Sequence, residues 1–144
     1  MSLQMALAPV FVLVLLNFLL LIAMGRVRGA AIRSKHVRIG DIALGQDACP
    51  AKATQVANAF SNQFEMPVLF YALVAIALPL RHMTLLMVLL AWVFVVTRYA
   101  HAYIYSTSNN INQRFSAFFA GVIVLLIMWV YLAIRVMLPG VLPI

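Results

Sequence analysis

Long apolar runs separated by short polar intervals divide this chain into four segments, each of which predicts a membrane-spanning helix. The first covers roughly residues 3–27, with Asn17 as its only strongly polar interior side chain. The second covers about 52–80 and changes character along its length. Its first half carries Gln55, Asn58, Ser61, Asn62, Gln63 and Glu65, and its second half, from Val68, is wholly apolar. Pro67 stands between the halves, where a ring without an N–H predicts a kink. The third segment runs about 83–105 and holds Arg98 and His101 in its last third. The fourth runs about 113–138, from Arg114 near its start to Arg135 near its end, and Pro139-Gly140 stops it. Arg81-His82 leaves room only for a tight antiparallel connection between the second and third segments.

Composition supports the same reading. Hydrophobic residues make up 66% of the 144 positions and charged residues 9%, whereas a soluble domain is about half apolar and a quarter charged. Four spans of roughly 20 residues use most of the chain. The expected fold class is therefore an all-α membrane protein, a four-helix antiparallel bundle in one domain over residues 1–144.

The formal charge of +7 does not imply nucleic acid. Arg26, Arg28, Arg33, Lys35, Arg38 and Lys52, six of the ten basic residues, fall in one stretch between the first two spans. Such a loop sets orientation, so the region 28–52 is expected on the cytoplasmic side and both termini outside. Contact with anionic lipid headgroups is compatible with this placement. Cys49 is the only cysteine, so an intrachain disulfide is excluded, and no ligand cluster for a metal is evident. Short loops and the absence of a targeting segment suggest a bacterial inner membrane.

The polar residues inside the spans carry the candidate chemistry. Asn58, Asn62 and Glu65 share one face of the second helix, and Arg98, His101 and Tyr105 share one face of the third. A carboxylate in hydrocarbon costs about 2.5–3.5 kcal/mol on insertion scales and needs a partner, and Arg98 is the expected counter-ion of Glu65. With the alternating topology, these residues, Arg114 and Arg28 all fall at one membrane level. The combination predicts a cationic, donor-rich pocket for an anionic polar ligand.

The stretch Asn58-Ala-Phe-Ser-Asn62-Gln-Phe-Glu65-Met-Pro67 resembles a helix-two pattern of the MAPEG family, the membrane-associated proteins in eicosanoid and glutathione metabolism. That pattern is approximately Arg-x-x-x-Asn-x-x-Glu-x-x-Pro. Arg98-x-x-His101-x-x-x-Tyr105 resembles the helix-three pattern, Arg114 falls where the family's glutathione enzymes carry a catalytic arginine, and Arg28 matches a helix-one arginine. Gly40-Asp41 resembles a loop motif of bacterial members. The resemblance implies a homotrimer with glutathione held between subunits near the cytoplasmic face and a lipophilic electrophile entering from the bilayer. It implies Arg114 as the catalytic residue, and Arg28, Asn62, Glu65, Arg98, His101 and Tyr105 as glutathione-binding residues. Two positions depart from the pattern: Asn58 replaces the helix-two arginine, and Phe118 replaces a tyrosine four residues after Arg114. These departures leave an alternative in which the fold serves as an oligomeric scaffold, an accessory subunit of a larger membrane complex, or a lipid or anion binder.

Overall fold

A computed structural model describes residues 2–34, 40 and 49–138. Most of the basic loop, including Lys35, Arg38, Asp41 and Asp47, and the Pro139-Gly140 stop lie outside the described residues. The elements are α1 (Leu3–Arg33), α2 (Ala51–Ser61), a 3₁₀ turn (Asn62–Phe64), α3 (Met66–Ala77), α4 (Leu85–Ser106) and α5 (Ile111–Met137). No strand occurs among the described residues. Four helical stretches, with α2 to α3 counted as one, are long and apolar enough to cross a membrane. The all-helical, membrane-spanning fold expected from the sequence is therefore present.

Local chemistry explains the boundaries. The Ser2 hydroxyl caps α1 by accepting from Met5 N at 3.4 Å. The helix continues past residue 27 to Arg33, so Arg26, Arg28 and Arg33 sit on regular helix. The alanines and arginines after Gly25 favour helix strongly enough to carry it beyond the apolar run. Thr84 caps α4 through Met87 N, and Asn110 caps α5 through Asn112 N at 3.1 Å and Gln113 N at 3.2 Å. Arg81 turns the chain between α3 and α4 with φ 58°, a left-handed residue in a tight turn.

The second span breaks where a kink was expected. Pro67 has no N–H to give, and its ring would collide with the carbonyl four residues earlier. The helix therefore tightens to 3₁₀ over Asn62–Phe64, passes Glu65 at φ −100° and ψ −100°, and restarts at Met66. In an unbroken helix the Asn62 carbonyl would accept from the N–H four residues on. Here it accepts from a side chain of α4, and that exchange begins the candidate site.

The core runs along the middle of the bundle. Leu13, Leu16 and Leu20 of α1 pack with Phe70 and Leu73 of α3, Met87, Ala91 and Phe94 of α4, and Leu125 and Met128 of α5. Phe70 and Phe94 stack with ring centroids 4.9 Å apart. Gly121 permits a close approach of α5 to α4: a Cβ there would lie 2.8 Å from Thr97 Oγ1. Small residues let helices approach closely where lipid supplies no hydrophobic drive between them. Large apolar side chains such as Phe11, Val96, Leu126 and Val130 point outward, as the bilayer requires.

Candidate functional site

Two ties bring the polar ends of α2 and α4 together. The Lys52 ammonium donates to the Ser106 carbonyl, and Gln55 Nε2 donates to the Tyr105 carbonyl at 2.5 Å and the Thr107 carbonyl at 3.2 Å. These carbonyls belong to the last turn of α4 and the residue after it, where the helix cannot satisfy them itself and where positive charge is favoured. Asn109 then reverses the chain with φ 51°, and α5 starts two residues later. The result fixes Arg114 against the end of α4.

Arg98 lies at the centre and is 0% exposed. Its Nη2 donates to Asn62 Oδ1 at 2.6 Å and to the Asn62 carbonyl at 3.3 Å. Asn62 Nδ2 in turn donates to Glu65 Oε2 at 3.1 Å. The amide must be oriented this way, because only its oxygen can face a guanidinium and only its nitrogen can face a carboxylate. The expected Glu65–Arg98 ion pair is therefore corrected to a relay in which Asn62 stands between the two charges. The 3₁₀ break explains the change: it turns Glu65 outward, where the residue is exposed, and leaves Asn62 facing α4. Phe118 contributes the face of its ring, 5.7 Å from Arg98 Cζ. Arg98 Nε and Nη1 are buried without a partner.

His101, one turn further along α4, is 3% exposed. Its Nδ1 lies 3.0 Å from the Arg114 carbonyl. A carbonyl only accepts, so Nδ1 carries the proton and, in the neutral ring, Nε2 is the acceptor. Nε2 has no partner and is buried. Tyr105 and Phe118 enclose the imidazole at centroid distances of 5.7 and 5.6 Å.

Arg114 is half-buried. Its guanidinium lies 4.2 Å from the Tyr105 ring centroid, and Nη1 donates to Asn109 Oδ1 at 2.7 Å. Asn62, His101, Tyr105 and Arg114 line one cavity of about 270 Å³ with Ile111, Phe115 and Phe118. Four of the seven residues singled out in the sequence thus share one cavity, and Arg98 and Glu65 join them through Asn62. Arg28 stands apart on α1, half-buried, with its Nε lacking a partner. Asn58 is exposed.

Sequence reasoning passed over Asn109, which orients Arg114. The signal was there in the Asn109-Asn110 pair, since asparagine is enriched both at positive φ and at helix caps. Gln63 is also 0% exposed, with Nε2 donating to the Ala59 carbonyl at 3.3 Å. Among the described residues there is no cluster of histidine, cysteine and carboxylate that could hold a metal ion.

Chemically, the cavity offers a guanidinium with free donors, an amide, a bare imidazole nitrogen and an aromatic wall. This set fits an anionic, hydrogen-bonding ligand: Arg114 suits a carboxylate or thiolate, and His101 Nε2 suits an N–H or S–H. At about 270 Å³, the cavity is just below the ~300–1,000 Å³ of complete ligand pockets. No curated protein and no solved structure matches the chain significantly. The MAPEG family model, however, matches residues 6–134. That span takes in the two middle membrane-crossing stretches whole, all but three residues at the outer end of each of the other two, and every residue of the cavity, and the chain belongs to the MAPEG family.

Proposed function

We propose that this chain is a glutathione-dependent membrane enzyme of transferase, peroxidase or isomerase type acting on lipophilic electrophiles. The family includes glutathione-dependent enzymes, and the observation that carries the reading here is Arg114. Its guanidinium is held by Asn109 and Tyr105 at the wall of a cavity that also presents Asn62 and His101. A thiol ionises near neutral pH only beside positive charge or hydrogen-bond donors. Arg114 stabilises the thiolate, its sulfur bonds to the electrophilic carbon as the leaving group departs, and the thiol proton passes to solvent. Asn62, Glu65, Arg98, His101 and Tyr105 bind and position glutathione. The small cavity supports a homotrimer in which a neighbouring copy completes the site and Arg28 reaches the ligand across the interface.

In this reading the chain is a bacterial-type member in the inner membrane. The basic end of the bundle lies on the cytoplasmic side and both termini lie outside. Lipids surround it, and the electrophile enters from them.

Asn58 and Phe118 favour a second reading. They replace an expected guanidinium and phenol with an exposed amide and a bare ring. In that reading the fold is non-catalytic and serves as an oligomeric scaffold, an accessory subunit of a larger membrane complex, or a lipid or anion binder. Calorimetry with glutathione on purified protein in nanodiscs, followed by turnover of an aromatic electrophile, separates the two. Binding at millimolar glutathione or below, lost in Arg114→Ala with the fold retained, supports the enzyme. No binding at that concentration overturns it, and a protein complex co-purifying in fixed stoichiometry supports the second reading.

A further inference from the structure

A second feature lies on the lipid-facing side of α1 and α4, away from the candidate site. Val12 of α1 and Trp92, Val96, Tyr99, Ala100 and Tyr103 of α4 line a groove of about 510 Å³. The Tyr99 hydroxyl donates to the Val12 carbonyl at 2.8 Å, which ties the two helices and leaves an apolar floor. Trp92, Val96 and Tyr103 are 37%, 64% and 70% exposed. The small Ala100 makes the trough between the larger side chains.

Length and charge identify the occupant. Eleven residues separate Trp92 from Tyr103, about 16 Å of helix. That is close to half of the roughly 30 Å hydrocarbon thickness, or one leaflet. The groove thus reaches from mid-membrane to the level at which a tyrosine meets headgroups. On α1 the positions seven apart from Val12 are Leu19 and Arg26, which stay on one face with a drift of about 20° per heptad. Arg26 is exposed, and at about 21 Å of helix beyond Val12 its long side chain reaches back to the headgroup level. The stripe that borders the groove therefore turns cationic where the hydrocarbon ends.

We propose that this groove is a specific site for an anionic phospholipid of the leaflet on the basic side, with one acyl chain along Ala100 and Val96 and its phosphate against Arg26. A neutral lipophile has no use for the arginine. A second copy of this chain seated on the groove would exclude lipid from it, an outcome that the test below reads.

Trp92 reports on the site directly. The sequence has two tryptophans, so Trp129→Phe leaves Trp92 as the sole fluorophore. The full chain is reconstituted in phosphatidylcholine vesicles with increasing phosphatidylglycerol, either lipid being brominated at mid-chain. Brominated phosphatidylglycerol is expected to reach half-maximal quenching at a mole fraction about fivefold lower per engaged arginine. Arg26→Gln removes most of that preference while quenching persists, and Ala100→Phe, which fills the trough, weakens quenching by both lipids. Equal quenching by the two lipids overturns the proposal in favour of ordinary surrounding lipid. No quenching by either overturns it in favour of a protein partner over the groove. Native mass spectrometry of the unaltered protein released from mixed nanodiscs repeats the comparison without substitutions. Retention of phosphatidylglycerol over phosphatidylcholine supports the site, and equal retention overturns it.

Discussion

Removing the amide of Asn62 should cost this bundle far more than removing the charge of Glu65. Arg98 is fully buried, and its two hydrogen bonds both end on Asn62, at 2.6 Å to Oδ1 and 3.3 Å to the backbone carbonyl. Asn62→Leu keeps the volume and the carbonyl but deletes the closer partner. Breaking a buried charged pair costs about 3–5 kcal/mol, and the surviving carbonyl places this case near the lower end. For a chain of this size about 3 kcal/mol lowers Tm by roughly 10 °C. Glu65→Gln behaves differently. The carboxylate is exposed, touches Asn62 and not Arg98, and a glutamine oxygen can still accept from Asn62 Nδ2. Its loss should be below about 1 kcal/mol, or ~3 °C. Thermal unfolding in one detergent, followed by helical circular dichroism, gives both values. A drop for Glu65→Gln as large as that for Asn62→Leu would refute the relay and make the carboxylate the true counter-group. Arg98→Met in the Asn62→Leu background removes the stranded charge and should recover most of the lost stability. If the double variant is no better than the single, the loss came from the packing of Asn62 itself.

Three further outcomes follow from the geometry around α5. Gly121→Ala puts a methyl 2.8 Å from Thr97 Oγ1, which is held by its bond to the Phe94 carbonyl at 2.7 Å. Overpacking of this kind costs about 1–3 kcal/mol, and adding Thr97→Ala should relieve it in the same melting assay. Asn109→Gly keeps the positive φ without strain but removes the acceptor for Arg114. The Tm should hold while glutathione affinity in calorimetry falls roughly three- to tenfold, the scale of one hydrogen bond's net contribution at an exposed position. Phe118→Tyr adds a phenol to the cavity wall beside His101 and should raise glutathione affinity or turnover. A variant no better than the parent would show that the hydroxyl has no ligand atom to meet.

The spans were legible because apolar composition is a one-dimensional signal. It needs no knowledge of neighbours, and it located all four crossings to within a few residues at most ends. The errors fell where local chemistry overrode it. The first helix outran its apolar stretch because Arg26, Arg28, Ala30, Ala31 and Arg33 are good helix formers whether or not lipid surrounds them. The second span showed its proline plainly, but whether Pro67 bends a helix or breaks it depends on what can take up the carbonyls that a break leaves open. Here Arg98 takes that of Asn62, and the helix breaks.

The same exchange explains why the site could be listed from sequence but not wired from it. Helical spacing places Asn62 and Glu65 three residues apart on one face, which made the charged residue the natural partner for Arg98. That inference assumes 3.6 residues per turn through Glu65, and the turn there is 3₁₀. Tightening the turn rotates Glu65 out of the bundle and leaves the amide to meet the guanidinium. The consequence is functional as well as structural. An unbroken helix would set a carboxylate directly against Arg98. In the broken one Arg98 is held by a neutral group, and the carboxylate is turned outward to where a ligand or a neighbouring chain can engage it. Pro67, which touches no ligand-binding atom, is thus the residue that decides which charges of this cluster remain available.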